Sequence, residues 1–495
     1  MGTPPPPPPE TPGPRAAPTD PTGPAAPAPS DGTAGTTGPA APAPSDGTAG
    51  TTGPPASPPP PAGSAGTTGP PPAPPIPGDQ PGIAVRIDPT DRPEREPILD
   101  LLRGFALLGI LLINVELMRG PGFYYALAGQ TPPGGTTADE VTGFLSAWLA
   151  GGKFISSFAL LFGVGAALIV GRAERRGTNP RRLLARRYTL LLLFGLAHMF
   201  LLFPGDILFA YSLAGFILIT FAAVTPKVAA WTGAGIYAGL GVLTGLFAAL
   251  AMAFSDMGAD GAEMGADFQQ QMFGDRVDQA VEAYAQGGFA DMLGAHAFEA
   301  AMLQFGHVLF VPWILALFLI GFAITRSGLT TDLAGHRRTL RRAAIVGLGL
   351  GLPLNLPLGF LGPLGVEAAD TIGPLEASAT FLQFVAPPVL AIGYLSAIAL
   401  LALRVGAWRP LGAVGRMALT AYLLQSAFSV IVFKVVGLYG DVSASEALIF
   451  VVGTWLLLLV LCPLWLRWFR FGPVEWLWRT WTYRRPQPLR VHASD

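Results

Sequence analysis

From about residue 101 onward the chain alternates long apolar runs with short polar connections. Half-buried strands alternate apolar and polar positions over a few residues, and these runs are too long and too continuous for that. They match the roughly 20 residues that a helix needs to cross a bilayer. Ten transmembrane helices are predicted, at about 101–118, 148–170, 188–204, 207–224, 229–253, 303–325, 343–361, 381–403, 413–437 and 447–469. The expected fold class is all-α, a polytopic transmembrane helix bundle. Glycines inside the runs, as in GVGAALIVG and GAGIYAGLGVLTG, would let helices approach closely in lipid.

Residues 1 to about 90 break this pattern. They are almost entirely Pro, Gly, Ala, Thr and Ser, and TGPAAPAPSDGTAGT begins at Thr22 and again at Thr37, a repeat of 15 residues with a degenerate third copy from Thr52. Such a segment has too little apolar surface to offset chain entropy, so a disordered tail is expected. The chain opens with neither a basic patch nor an apolar core, so the first run reads as a retained helix and not as a cleaved signal. The expected organisation is a tail at 1–90 and a transmembrane domain at 91–490.

Charge then orients the bundle. Only 13% of the residues are charged and the net charge is -1, but the basic residues are concentrated in alternate connections. Between the second and third runs lie Arg172, Arg175, Arg176, Arg181, Arg182, Arg186 and Arg187 against Glu174 alone. Lys227, then Arg326 to Arg342, then Arg404, Arg409 and Arg416, and finally Arg467 to Arg490 continue the alternation. The other connections are nearly free of Lys and Arg, apart from Arg119 and Arg276. The positive-inside rule places both termini in the cytoplasm. The one long outer connection, 255–302, is acidic, and Met272, Val277, Val281 and Tyr284 could line one face of a short surface helix within it.

Ionisable residues in hydrocarbon cost several kcal/mol unless paired or hydrated, roughly 2.5–3.5 kcal/mol on insertion scales, so each one needs a partner or a wet cavity. On the outer side these are Glu116, Lys153, His198, Asp206 and His307. A histidine beside a carboxylate is suited to general-base work, and a nearby cation could hold an anionic group. His198 and Asp206 are therefore the catalytic candidates, and Glu116, Lys153 and His307 are substrate-binding candidates. Asp206, after Pro204 and Gly205, could equally cap the following helix, and His198 could be a helix-contact residue. Lys153 could snorkel to the interface or pair with Glu116 or Asp206. Toward the inner side lie Asp100, Arg103, Arg416, Tyr422, Gln425, Ser426 and Glu475, expected mainly as structural anchors. Trp476, Trp478, Trp481 and Tyr483 read as an interfacial belt. No Walker loop, HExxH or zinc spacing is present; no metal and no nucleic acid is expected, and the single cysteine, Cys462, reads as a buried thiol.

Several ordered motifs resemble the DUF418 family of bacterial membrane proteins. They are LDLLRGFALLGILLINV at 99–115, KFISSFALLFGVG at 153–165, RRYTLLLLFGLAHMFLLFPGDILFAYSLAG at 186–215, GRMALTAYLLQS at 415–426 and GPVEWLWRTWTY at 472–483. The resemblance covers about 100–485. It implies a more distant likeness to membrane acyltransferases that modify sugars or envelope polymers. By that likeness His198 would be the acid–base residue, Asp206 would orient it or bind substrate, and Arg103, in the LRG motif, would be a further substrate-binding residue that binds or positions an acyl-thioester donor from the inner side. Ala421 stands where the resemblance implies an asparagine.

Two functions follow as expectations. One is acyl transfer from a cytoplasmic thioester to an envelope glycan or lipid, in the cytoplasmic membrane of a bacterium. The other is transport of a small or lipidic solute. Membrane lipid is the expected surrounding partner in either case.

Overall fold

The computed structural model describes residues 97–128, 130, 132–255, 267–362 and 374–491. The repeat-bearing tail at 1–90 lies outside the described residues.

The described chain is all-helical. The elements are α1 (Pro97–Met118), α2 (Gly122–Leu127), α3 (Thr137–Leu149), α4 (Lys153–Arg175), α5 (Pro180–Leu201) and α6 (Leu208–Leu218, continued by a 3-10 turn at Ile219–Phe221). They continue with α7 (Pro226–Ser255), α8 (Arg276–Val281), α9 (Phe289–Arg326), α10 (Arg337–Phe360) and α11 (Pro374–Val405). The last are α12 (Arg409–Arg416), α13 (Ala418–Ser429), α14 (Ala444–Trp468) and α15 (Pro473–Tyr483). Among the described residues, nine helices are long and apolar enough to cross a membrane, and the predicted fourth span is the shorter apolar helix Leu208–Phe221. The chain is a multi-pass membrane protein.

Local chemistry sets the boundaries. Asn179 accepts a hydrogen bond from Arg181 N, and Pro180 starts α5 with a fixed φ. Thr136 with Asp139, and Ser443 with Glu446, form capping boxes at the starts of α3 and α14. These caps correct several boundaries. The arginines at 181, 182, 186 and 187, predicted as loop, lie on the first turns of α5. The span predicted at 148–170 starts only at Lys153, after the separate helix α3 and a break at 150–152. The connection predicted at 255–302 contains the first turns of α9, which runs 38 residues from Phe289, while the membrane-spanning stretch of that helix is Val308–Arg326, close to the predicted 303–325. Within the connection Val277 and Tyr284 turn inward as expected, but Met272 is exposed.

The first and the last third of the chain meet where α1 packs against α12. Gly104 of α1 lies against the carbonyl of Leu411, and Gly415 of α12 lies against the carbonyl of Asp100, so a Cβ at either position would strike backbone. Small residues allow that approach in lipid, where packing and not hydrophobicity draws helices together. Helix α12 then breaks at Met417 and α13 starts anew. The carboxylate of Glu475, reaching from α15, accepts hydrogen bonds from Leu419 N (2.7 Å), Thr420 N (2.9 Å) and Thr420 Oγ1 (2.5 Å). It thus caps the free N–H groups of α13 from another helix. Burial pushes the Glu475 carboxyl pKa up, and those hydrogen bonds oppose the rise.

Candidate functional site

Helix α5 ends in the sequence Phe203-Pro204-Gly205-Asp206, which reverses the chain tightly into α6. Pro204 cannot continue the helix. At Gly205 a side chain would strike the Phe203 ring, so the turn needs glycine there. The reversal sets His198, in the last turn of α5, beside Asp206 at the start of α6. Gly195 contributes as well: a Cβ there would lie 2.5 Å from Phe209 N and 3.0 Å from Asp206 Oδ2. Only a bare α-carbon lets α6 approach α5 this closely.

Three side chains then form a line. Asp206 Oδ1 lies 2.8 Å from His198 Nδ1, and His198 Nε2 lies 2.8 Å from Ser426 Oγ on α13. The side chains of His198 and Asp206 are completely buried, and Ser426 is 1% exposed. Asp206 Oδ2 also accepts from Phe209 N at 2.7 Å, so the same carboxylate caps α6. Asp206 therefore caps α6 and contacts His198 with the same carboxylate. With the carboxylate ionised, which can only accept, and the imidazole neutral, Nδ1 would carry the proton and donate to Asp206. In that tautomer Nε2 turns its lone pair toward the serine hydroxyl. This is the hydrogen-bond order of a Ser–His–Asp triad, in which the imidazole can take the hydroxyl proton.

The other predicted site residues are distributed differently. Glu116 pairs with Arg119, the residue just past the end of α1, at 2.7 Å. Lys153 is completely buried and donates to Ala147 O at 2.7 Å, at the C-terminal end of α3. It neither snorkels nor pairs with Glu116 or Asp206; the break at 150–152 points a free carbonyl at its ammonium instead. The side chain of His307 lies outside the described residues. Arg103 pairs with Asp100 at 2.7 Å. Arg416 Nη2 donates to Arg470 O at 3.3 Å, and Gln425 Nε2 donates to Leu107 O at 3.4 Å. Tyr422, grouped by sequence with the inner anchors, instead lies against His198 with ring centroids 4.8 Å apart. Trp478 is not part of an exposed belt: it is buried, with Arg187 stacked 3.5 Å over its ring.

A cavity of about 640 Å³ opens among the arginine-rich ends of α1, α4, α5, α12 and α15. Arg103, Arg187, Arg416 and Arg479 stand toward that end. Leu107, Ile110, Phe158 and Leu161 line its depth, and its far wall includes Ile207, Leu208, Tyr211 and Tyr422. The Tyr422 ring therefore stands between the cavity and the His198 imidazole. Among the described residues no group of three or more His, Cys, Asp or Glu side chains is placed to hold a metal ion.

Beyond the triad, away from the cavity, lies a second buried polar cluster. Glu299 Oε1 accepts from Tyr284 Oη (2.6 Å) and Tyr124 Oη (2.9 Å). His296 Nδ1 donates to Phe200 O at 2.8 Å, and its Nε2 lies 2.7 Å from Lys434 Nζ. Tyr284 and Lys434 sit on two π-helical segments, Glu282–Gln286 and Val430–Val435, with the Lys434 ammonium 3.7 Å from the Tyr284 ring centre. Burial, reinforced by Lys434, pushes the His296 pKa down to about 3.

Comparison with known proteins adds family but not activity. Residues 324–485 match a family described as "Protein of unknown function (DUF418)". The chain is 33% identical over 424 residues to the uncharacterized protein YeiB of Escherichia coli (strain K12), covering 81% of this chain and 100% of that protein. It is 29% identical over 422 residues to the uncharacterized protein YxaH of Bacillus subtilis (strain 168), covering 81% and 98%. No solved structure matches.

Proposed function

Because the chain belongs to the DUF418 family of multi-pass membrane proteins, whose name carries no activity, we propose a function from the site itself: acyl transfer through Ser426. The observation that carries this reading is the unbroken line Asp206–His198–Ser426, buried within the bundle. The arginine-rich side is taken as cytoplasmic, with both termini there, on the positive-inside rule.

The chemistry runs in two halves. An acyl donor enters by the arginine-lined cavity. His198 Nε2 takes the Ser426 hydroxyl proton while Oγ attacks the donor carbonyl. The bond from that carbonyl to its sulfur breaks, and the departing thiolate takes the proton from His198. Ser426 is left as an ester. An acceptor hydroxyl or amine from the opposite side then gives its proton to His198 and attacks the ester carbonyl. Ser426 Oγ leaves and regains that proton. Asp206 holds the imidazole in the required tautomer and favours the imidazolium that forms in each half. The covalent intermediate fits a site between two membrane faces, because donor and acceptor need not occupy it together.

The test compares lipid and envelope-glycan profiles of a deletion strain complemented with wild type, His198→Ala or Ser426→Ala. An acylated species restored by wild type and by neither variant is the expected result. Full restoration by either variant would overturn the reading.

A further inference from the structure

The ends of the cavity differ in chemistry, and that difference names the class of molecule it holds. Seven arginines line it against two carboxylates, Asp100 and Glu475. Asp100 is engaged by Arg103, and Glu475 is committed to the N-terminus of α13. Arg326 is held by Glu174, which is not among the lining residues. Counted over the lining as a whole, seven guanidinium groups against two carboxylates give the mouth an excess of positive charge within a small volume. Guanidinium groups recognise phosphate oxygens in pairs, and a cluster of them reads as a phosphate site.

The sequence of α1 arranges this polarity in one line. Arg103, Leu107 and Ile110 follow at helical spacing on the face that lines the cavity. The first is cationic and the next two are aliphatic, over about 10 Å of helix. Phe158 and Leu161 of α4 and Leu191 of α5 extend the apolar wall. Two buried hydroxyls, Tyr188 Oη and Thr330 Oγ1, also belong to the lining and make no hydrogen bond among the described residues. Buried polar atoms of that kind are costly unless something hydrogen-bonds them, at roughly 1–3 kcal/mol each. A ligand with polar atoms near the mouth would satisfy them. The volume lies within the about 300–1,000 Å³ usual for small-molecule sites.

We infer that the cavity binds a phosphate-bearing amphiphile, with its phosphates among Arg103, Arg187, Arg416 and Arg479 and its aliphatic chain between α1, α4 and α5. The acyl-transfer reading above sets which end would meet Tyr422 and the triad; the binding itself does not depend on that reading. Two sources share this chemistry: a long-chain acyl thioester of a phosphorylated nucleotide, and a phosphorylated membrane lipid.

The test measures binding to the purified full-length protein in an uncharged detergent, with hexadecanoyl coenzyme A, coenzyme A without a chain, and a polyprenyl phosphate as probes. Saturable binding of one of the two chain-bearing probes is expected, at least about tenfold tighter than coenzyme A alone. Its identity tells the thioester source from the lipid source. Arg103→Gln with Arg416→Gln should weaken it at least about tenfold, or about 1.4 kcal/mol. Arg103→Lys with Arg416→Lys, which keeps the charge, should lose less and serves as the folded control. Ile110→Trp, filling the depth, should weaken the hexadecanoyl form more than a butanoyl form. Ser426→Ala should bind as wild type does, so a failure of the chemistry leaves this result intact. The inference is overturned if neither chain-bearing probe binds, if the chain adds nothing, or if the glutamine variants bind within twofold of wild type while folded.

Discussion

His198 Nε2 and Ser426 Oγ lie 2.8 Å apart although 228 positions separate the two residues in the sequence. The contact ties α5 to α13, and with Asp206 it turns a membrane-buried histidine from an isolated polar group into the middle of a hydrogen-bonded chain.

Asp206→Asn isolates the electronic role of the carboxylate. An asparagine oxygen can still accept from Phe209 N, and its amide then donates to His198 Nδ1. That reverses the tautomer and leaves Nε2 unable to accept from Ser426. Transfer should fall by about 10⁴-fold, as in other triads, with little change in Tm. Asp206→Ala should show the same loss together with about 1 kcal/mol of destabilisation from the missing cap. Paired measurements of turnover and Tm check both; a turnover near wild type for the asparagine variant contradicts the assigned tautomer.

Gly195→Ala tests the approach of α6 to α5. The added methyl would crowd Phe209 N and Asp206 Oδ2, forcing the helices apart at about 1–3 kcal/mol. Gly165→Ala on α4, where nothing lies within 4 Å of the added carbon, should cost nothing measurable. A thermal-unfolding comparison of the two reads the difference.

Glu475→Ala removes three hydrogen bonds to the start of α13, the helix that carries Tyr422 and Ser426. A lost cap costs about 0.5–2 kcal/mol. Tm should drop, and turnover should drop with it because Ser426 loses its register. A variant as stable as wild type would show that α13 is held by packing alone.

The buried cluster of His296, Glu299 and Lys434 gives a pH dependence. His296 has its pKa lowered from 6.5 to about 3, so between those values the unfolded chain binds the proton and the folded one does not. Stability is fully present above the unfolded value and declines as pH falls toward the folded one, by at most about 1.4 kcal/mol per pH unit for one proton. Lys434 Nζ and the Tyr284 ring lie against the imidazole. Tm measured from pH 7 to pH 5 should fall in wild type and fall less in His296→Gln. Parallel curves would remove His296 as the cause.

Much of this architecture is legible in the chain. Run length and continuity define the spans, because hydrocarbon leaves a spanning helix few polar positions. His198 and Asp206 were legible as a pair because a Pro-Gly turn lies between them. Ser426 carried no such sign: a hydroxyl on an apolar helix is common, and its partner lies 228 residues away. The partner of Lys153 is hidden from the sequence for a related reason, since the Ala147 carbonyl it meets is open to it only because three residues, 150–152, separate α3 from α4. Tyr422 was assigned to the inner side by its place in the run, whereas the break at Met417 starts a new helix and brings its ring under His198. Sequence pattern reports on depth and local turns; it does not report which helices touch.

The most direct test of the central claim asks whether His198 activates Ser426. The purified full-length protein is exposed to a long-chain fluorophosphonate, which reacts with activated serines, and the modified residue is identified by peptide mass spectrometry. The account predicts a phosphonyl adduct on Ser426 in wild type, none at that position in Ser426→Ala, and at least about a hundredfold slower labelling in folded His198→Ala, within the range expected for loss of a general base. Absence of the adduct in wild type, or labelling of His198→Ala at the wild-type rate, would contradict it.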